Sequence, residues 1–234
     1  MKKQKTTLTA FTNLSLVIWG TNLVSSIGSG RLSKQQREMI KLTPYLLGVV
    51  VGLLLSDGWL YHSNSSSKNA TLGFKQSVSH FHYFWFTFIL LSHYCSTFPY
   101  FTTGARKGVK FTTVTFITRA LPCFTELYPY FYNNKVKVIP SNMYDLLTPV
   151  ALAHWIMGDG TYKSQGLLLC TDSNTIQDIV RLMNALTIRY DLKCTMHNAN
   201  PGQYRIYISR KSMPKLISIV KPHMAPCMLF KLGL

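Results

Sequence analysis

The chain has 234 residues, 47% of them apolar, enough to bury a core in one large domain or in two halves of roughly 100 residues each. Its 25 Lys and Arg against 8 Asp and Glu leave a formal net charge of +17, spread along the whole length, so the expected partner is a polyanion meeting a broad folded surface. That polyanion is either nucleic acid or an anionic membrane surface; the most apolar stretch, Tyr45–Leu55, is only 11 residues long and ends in Ser-Asp-Gly, which argues against a spanning helix, and no membrane partner is expected.

Residues 1–41 form an N-terminal extension. The opening Met-Lys-Lys-Gln-Lys is basic but no cleavage site follows, and Leu14–Ile27 is broken by Gly20, Thr21 and Asn22, so neither a leader nor a span is expected. "GSGRLSKQQR" reads as a basic, mobile surface loop. The five cysteines (95, 123, 170, 194, 227) are odd in number and lack CxxC spacing, as expected of reduced, structural thiols without zinc.

From Leu42 onward one layout occurs twice. Leu42-Thr43-Pro44 and Leu147-Thr148-Pro149 each open an apolar helix, with Thr as N-cap and Pro in the first helical position, where its missing N–H costs nothing. Gly58 and Gly160 are expected to stop these helices in left-handed turns. Each helix thus carries an acid, Asp57 or Asp159, at its C-terminal tip. The macrodipole leaves partial negative charge there, so the carboxylates gain nothing from the helix and repel each other if close; a cation between them resolves the conflict.

After Asp57 follow a polar loop (Ser63–Asn69), an alternating strand (Thr71–Ser79), an aromatic helix (Phe81–Tyr94) and a hairpin (Tyr100–Arg119) turning at Gly-Ala-Arg-Lys-Gly. After Asp159 the order repeats: the strand "GLLLCTD", a helix over Ile176–Tyr190 with Ile176, Ile179, Val180, Met183 and Leu186 on its apolar face, and a hairpin turning at Asn-Pro-Gly. Ile117-Thr118-Arg119 matches Ile208-Ser209-Arg210, and Leu121-Pro122 matches Met213-Pro214. The economical reading is a duplicated unit, with a first half over 42–132, an ordered connector over 133–146 and a second half over 147–234.

Gly48, Gly52 and Ser56 recur every four residues and make a stripe along which the second helix can approach. That contact would set Asp57 and Asp159 side by side at the foot of a pseudo-twofold interface. Two carboxylates sharing divalent ions suit in-line attack on a phosphodiester, and hard oxygen ligands suit Mg2+. Hairpins with polar faces are shaped to enter a DNA major groove. Candidate DNA-contacting residues are Lys75, Arg106, Lys107, Lys110, Thr112 and Arg119 in the first half. In the second they are Lys163, Lys193, His197, Asn198, Asn200, Gln203, Arg205 and Arg210.

Val50–Gly58 ("VVGLLLSDG") and Leu152–Gly160 ("LAHWIMGDG") resemble the two motif copies of single-chain LAGLIDADG homing endonucleases, and the resemblance covers roughly residues 40–234. It implies an α+β fold of tandem αββαββα-type halves related by pseudo-twofold symmetry, with two antiparallel sheets forming a DNA-binding saddle. It further implies a site-specific double-strand DNA endonuclease that uses Mg2+, leaves short 3′ overhangs and supports intron homing from an organelle genome. Two or three ions would be shared by the acids, with Mn2+ as a substitute and Ca2+ supporting binding without cleavage. By the same resemblance Asp57 and Asp159 are the metal ligands, helped by the carbonyls of Ser56 and Gly158. Lys137 (in "KVIPSNMYDLLTP") and Lys231 (in "PCMLFKLG") are the basic residues that polarise the attacking water. Leu55 and Met157 replace the motif's first Asp, which is not the ligand position. His154 stands at the helix contact where the family often has Gly, and is expected to fill space opposite Gly52. The first motif helix, 44–57 from Pro to Asp against 149–159, is three residues longer, which leaves the alignment of the tips open.

Two rivals remain. An RNA-binding maturase on the same fold would help its host intron to splice, and a repressor-like DNA-binding module would do no chemistry. Both acids are intact, which favours cleavage, and with both repeats in one chain a monomer with no obligate protein partner is expected.

Overall fold

The computed structural model of the protein describes residues 27–28, 30–63, 67–106 and 108–234. Most of the N-terminal extension and Lys107 lie outside these residues, and of Arg106 only the backbone is described.

Each half is built in the same order. In the first, helix α2 (Pro44–Leu55) leads into β1 (Gly58–Tyr61) and β2 (Thr71–Ser77), then α3 (Phe81–Leu91), then the hairpin β3 (Tyr100–Arg106) and β4 (Val109–Ile117). Short helices α4 (Pro122–Thr125) and α5 (Tyr128–Phe131) close it. In the second, α7 (Pro149–Asp159) leads into β7 (Gly160–Lys163) and β8 (Gly166–Leu169), then α8 (Ile176–Tyr190), β9 (Cys194–Asn200), β10 (Gln203–Ile208) and α9 (Met213–Val220). The sheet orders, β1-β2-β4-β3 and β7-β8-β10-β9, are the same order in equivalent strands, all antiparallel. Between the halves, β5 (Tyr132–Asn133) and β6 (Val136–Lys137) form a tight hairpin with Asn134 and Lys135 both at positive φ, followed by α6 (Met143–Leu146).

The motif helices are entered as their sequences dictate. Thr43 Oγ1 accepts from the Leu46 N–H and Thr148 Oγ1 from the Ala151 N–H, each at 3.2 Å, with Pro following. Both helices are buried on nearly every side, as their unbroken apolar runs require. Between them the small residues are obligatory. A Cβ on Gly52 would fall 2.5 Å from the Ala151 carbonyl oxygen and the His154 Cβ, and one on Gly48 would fall 2.7 Å from Thr148 Oγ1.

Several expectations are corrected. Gly58 and Gly160 do not stop the helices in left-handed turns; neither has positive φ, and Gly160 is extended at φ −76° and ψ 147°. They are glycines because the strand leaves the helix so tightly that a Cβ would meet Leu53 at 2.9 Å in one half and the Ile156 carbonyl oxygen at 2.6 Å in the other. That turn begins a strand the residue patterns did not reveal, β1 or β7, whose four residues are too few for a periodicity. The stretch "GSGRLSKQQR" is not a loop throughout: α1 (Lys34–Met39) is a helix whose capping box pairs Ser33 with Gln36. On α8 the buried residues include Ile179, Leu182, Ala185, Leu186 and Tyr190, whereas Ile176 and Val180 lie outside, 50% and 43% exposed. The buried face is rotated toward Leu182 and Ala185 because α8 packs against both its own sheet and the connector helix α6.

All five cysteines are free. Among the described residues no helix is long and apolar enough to cross a membrane.

Candidate active site and nucleic-acid face

The two helix tips meet at the pseudo-twofold axis. A Cβ on Gly158 would lie 2.5 Å from Ser56 Cβ and Oγ and 3.5 Å from Asp57 Oδ2, so the segment carrying Asp159 lies against the one carrying Asp57. The unequal lengths are reconciled at the C-terminal end of α2. This helix stops at Leu55, leaving Ser56 at φ −122° and ψ −120°, whereas Asp159 is still the last residue of α7.

Burial and then the nearby Asp57 charge push the Asp159 carboxyl up to about 7, with Lys137 and Lys231 opposing the rise. Lys137, on β6, donates from Nζ to the carbonyls of Ser56 at 3.1 Å and Gly58 at 2.9 Å, the two residues flanking Asp57. Lys231, in the C-terminal 3-10 turn Pro226–Leu232, donates to the carbonyl of Gly158 at 2.7 Å, the residue before Asp159. The two lysines are therefore equivalent under the pseudo-twofold. Burial pulls the Lys137 amine down to about 8 against the attraction of Asp159 and Asp57, and lowers Lys231 for the same reasons.

A residue the sequence reading missed completes the first half. Gln76, at 9% exposure, donates from Nε2 to Asp57 Oδ2 at 2.6 Å. Strand alternation from buried Phe74 puts Gln76 on the helix-facing side, but only the pairing of Gly58 with Phe74 brings it beside Asp57. Because Gly160 pairs with Leu169, the equivalent position in the second half is Thr171, whose hydroxyl is 2.6 Å from the Tyr204 carbonyl. The two carboxylates thus have unlike supports.

A hard divalent cation fits this donor set. Two carboxylates converge where burial and mutual repulsion work against both being charged, and a cation removes that cost. Among the described residues no cluster of three or more His, Cys, Asp and Glu occurs, so the ion's remaining ligands would be carbonyls, water and substrate oxygens. Ser56 Oγ donates back to the carbonyl of Gly52 at 3.1 Å, so its hydroxyl proton is used within the helix.

His154 is fully buried between the motif helices with Phe86 stacked at 6.1 Å. Neither ring nitrogen has a hydrogen-bond partner, and burial, helped by His223, pulls its pKa down to about 3. It is a neutral packing residue remote from ligand chemistry.

The outer sheet faces sort the remaining candidates. Lys75 and Lys163 are exposed there, on the faces opposite Phe74 and Leu167. His197 and Arg205 form an opposed pair; His197 stacks on Tyr207 at 4.9 Å, and Arg205 makes a bidentate pair with Asp172 at 2.7 and 2.5 Å. A shift of register past Asn198 brings Asn200 opposite Gln203, to which it donates at 2.8 Å. Lys193 is exposed just before β9. Five candidates do not belong to this face. Lys110, Thr112 and Asn198 pair with Ala105, Thr103 and Tyr204, on the side shared with the core residues Val114 and Ile206. Arg119 lies beyond β4 and donates to the Gly30 carbonyl at 3.2 Å. Arg210, its counterpart, is exposed beyond β10. Period-two alternation reveals a strand's two faces, but which face meets the helices depends on register.

Residues 47–216 match the model of the LAGLIDADG DNA endonuclease family. The chain belongs to this family. It is 34% identical over 198 residues to "Cytochrome b mRNA maturase bI2" of Debaryomyces hansenii, covering 80% of this chain and 73% of that protein. It spans about half the length (47%) of the Saccharomyces cerevisiae protein of the same name. It is 37% identical over 121 residues to "Intron-encoded endonuclease ai4" of Dictyostelium discoideum, covering 51% of this chain and 76% of that one. Among solved structures, the homing endonuclease I-WcaI bound to its DNA recognition sequence has the same fold, with a TM-score of 0.78 at 23% identity over 88% of this chain and 95% of that one. The LAGLIDADG helices of this chain are α2 and α7, and its two four-stranded sheets follow them.

Proposed function

We propose that this chain is a Mg2+-dependent homing endonuclease that cuts both strands of a long, specific DNA site. The carrying observation is the pair of aspartates at abutting helix tips, each beside a lysine bound to the carbonyl just before the acid. In this reading Asp57 and Asp159, with the carbonyls of Ser56 and Gly158, hold two or three shared ions; Mn2+ substitutes, and Ca2+ supports binding without cleavage. When bound, the cation supplies the Lewis acidity that activates water and stabilises the leaving 3′ oxygen.

The chain's own residues do the rest. Gln76 fixes the Asp57 carboxylate through its 2.6 Å bond, so that carboxylate is oriented before any ligand arrives. Lys137 and Lys231 place positive charge beside the scissile phosphates. With its amine near 8, Lys137 can also exchange a proton at Nζ close to neutral pH. The outer faces of the two sheets lie in successive major grooves, with Lys75, Lys163, Lys193, His197, Asn200, Gln203 and Arg205 among the contacts. Cuts on opposite strands, made across the minor groove between the sheets, leave short 3′ overhangs. The protein acts as a monomer because both halves are in one chain, and it works in the organelle whose intron encodes it.

The test is incubation with a randomised duplex library in Mg2+, beside Asp57→Asn and Asp159→Asn, with sequencing of the ends. Cuts at one long motif, lost in both variants, are expected; salt-sensitive binding with no ends in any version would overturn the reading.

A second reading, the group I intron maturase, is favoured by the name of the Debaryomyces hansenii relative. It predicts that splicing of the host intron RNA is assisted equally by the intact chain and by both Asn variants, since RNA binding needs neither acid. Splicing unchanged by the intact chain would rule it out.

A further inference from the structure

The outer faces of the two sheets differ in chemistry more than their common fold requires. In the first, the register sets Tyr100 beside Thr115, Thr102 beside Thr113 and Phe111 beside Gly104 on one face. Tyr100 and Phe111 are 46% and 44% exposed, although both are aromatic. The Phe111 ring is held flat on the sheet by Gly104, where a Cβ would sit 2.7 Å from the ring. Thr102 and Thr113 share a hydrogen bond at 2.8 Å, and Thr113 Oγ1 also donates to the Thr102 carbonyl at 3.3 Å. Both hydroxyl protons are thereby used within the sheet, so the pair offers a ligand its methyl groups and acceptor lone pairs but no donor. Among the side chains described on this face, Lys75 alone is charged.

The second sheet is the opposite case. Its face carries Lys163, His197, Asn200, Gln203 and Arg205, and the last four are each held by a neighbour: His197 by Thr195 at 2.9 Å, Asn200 and Gln203 by each other, and Arg205 by Asp172. Oriented polar groups of this kind suit hydrogen bonding to base edges. An exposed aromatic and methyl face on a chain of net charge +17 suits the one apolar group on the floor of a DNA major groove, the thymine C5 methyl.

We infer that the first sheet reads its half-site through contact of Tyr100, Thr102, Phe111 and Thr113 with thymine methyl groups, while the second reads its half-site by hydrogen bonding. This rests on the proposal that the sheets lie in DNA major grooves. It adds an asymmetry of recognition chemistry between the halves, and with it a thymine-rich half-site under the first sheet.

The experiment uses the full chain in calcium buffer. A duplex is first selected by binding from a random library, then rebuilt with deoxyuridine for thymine in one half at a time, which removes the C5 methyl and leaves pairing intact. Substitution in one half weakens binding roughly fourfold per contacted methyl, and in the other half changes nothing. Thr102→Ser with Thr113→Ser, which deletes two protein methyls and keeps both hydroxyls, reduces the penalty in the sensitive half. Selection of a site that tolerates uracil in both halves overturns this inference and leaves the endonuclease reading standing, as does a penalty unchanged by the serine pair. A chain that selects no site at all removes the DNA reading itself, and this inference with it.

Discussion

Gly158 and Ser56 meet so closely that a single added methyl group on Gly158 would overlap both Cβ and Oγ of the serine at 2.5 Å. This contact sets how near the two aspartates stand. Gly158→Ala should therefore push the tips apart, destabilising the fold by about 1–3 kcal/mol and abolishing cleavage while DNA binding persists. Urea melts and a gel-shift assay beside a cleavage assay read the two effects separately. Gly52→Ala, which meets the Ala151 carbonyl oxygen and the His154 Cβ at 2.5 Å, should cost more than Gly48→Ala, which meets only side-chain atoms of Thr148 and Val150 at 2.7 Å or more.

The Asp159 carboxyl, held up at about 7, makes stability depend on pH in a defined sense. Between the ordinary carboxyl value of 3.8 and about 7 the folded state keeps a proton that the unfolded state has lost. Its contribution is thus present at low pH and is lost as pH rises through this window. In metal-free buffer Asp159→Asn should raise stability at pH 8, by on the order of 2 kcal/mol, and less at pH 5. Thermal melts at the two pH values test this. Added Mg2+ should raise the melting temperature of the intact chain more at pH 8 than at pH 6, because only the charged carboxylate is a ligand.

Gln76→Ala should leave the fold intact and reduce cleavage about 10–100-fold, as loss of a ligand-orienting partner does. Because the equivalent position in the second half is Thr171, the loss should fall unequally on the two strands. Nicked intermediate should accumulate on a supercoiled plasmid carrying the site. Equal slowing of both nicks would show that Gln76 does not act through Asp57.

His154→Leu should stabilise the protein. It removes two buried ring nitrogens without partners, each carrying a desolvation cost of about 1 kcal/mol. With the folded imidazole near 3 against an ordinary 6.5, the intact protein loses stability as pH falls from 6.5 toward 3, because the unfolded chain takes up a proton there. The leucine variant should lose that part of its acid sensitivity, measured as melting temperature at pH 7 and pH 5.

The duplicated layout, the two helix starts and the aspartates at their ends were legible from residue order alone, because N-caps, proline positions and Asp-Gly steps act over a few neighbouring residues. So was the Gly48–Gly52 stripe, since a spacing of four is a property of one helix. Lys137 and Lys231 were legible only through resemblance to the family; that each binds the carbonyl before an aspartate is a contact across 81 or 73 residues. Gln76 could not be read at all, because its approach to Asp57 follows from the pairing of Gly58 with Phe74. The outer faces were undecided for the same reason. Alternation along β4 separates Lys110 and Thr112 from Phe111 and Thr113, but only packing of Val114 and Phe116 beneath the sheet decided which set lies on the outer face. Local chemistry fixes elements and their ends, whereas register and facing are chosen by the apolar surface that two elements bury together.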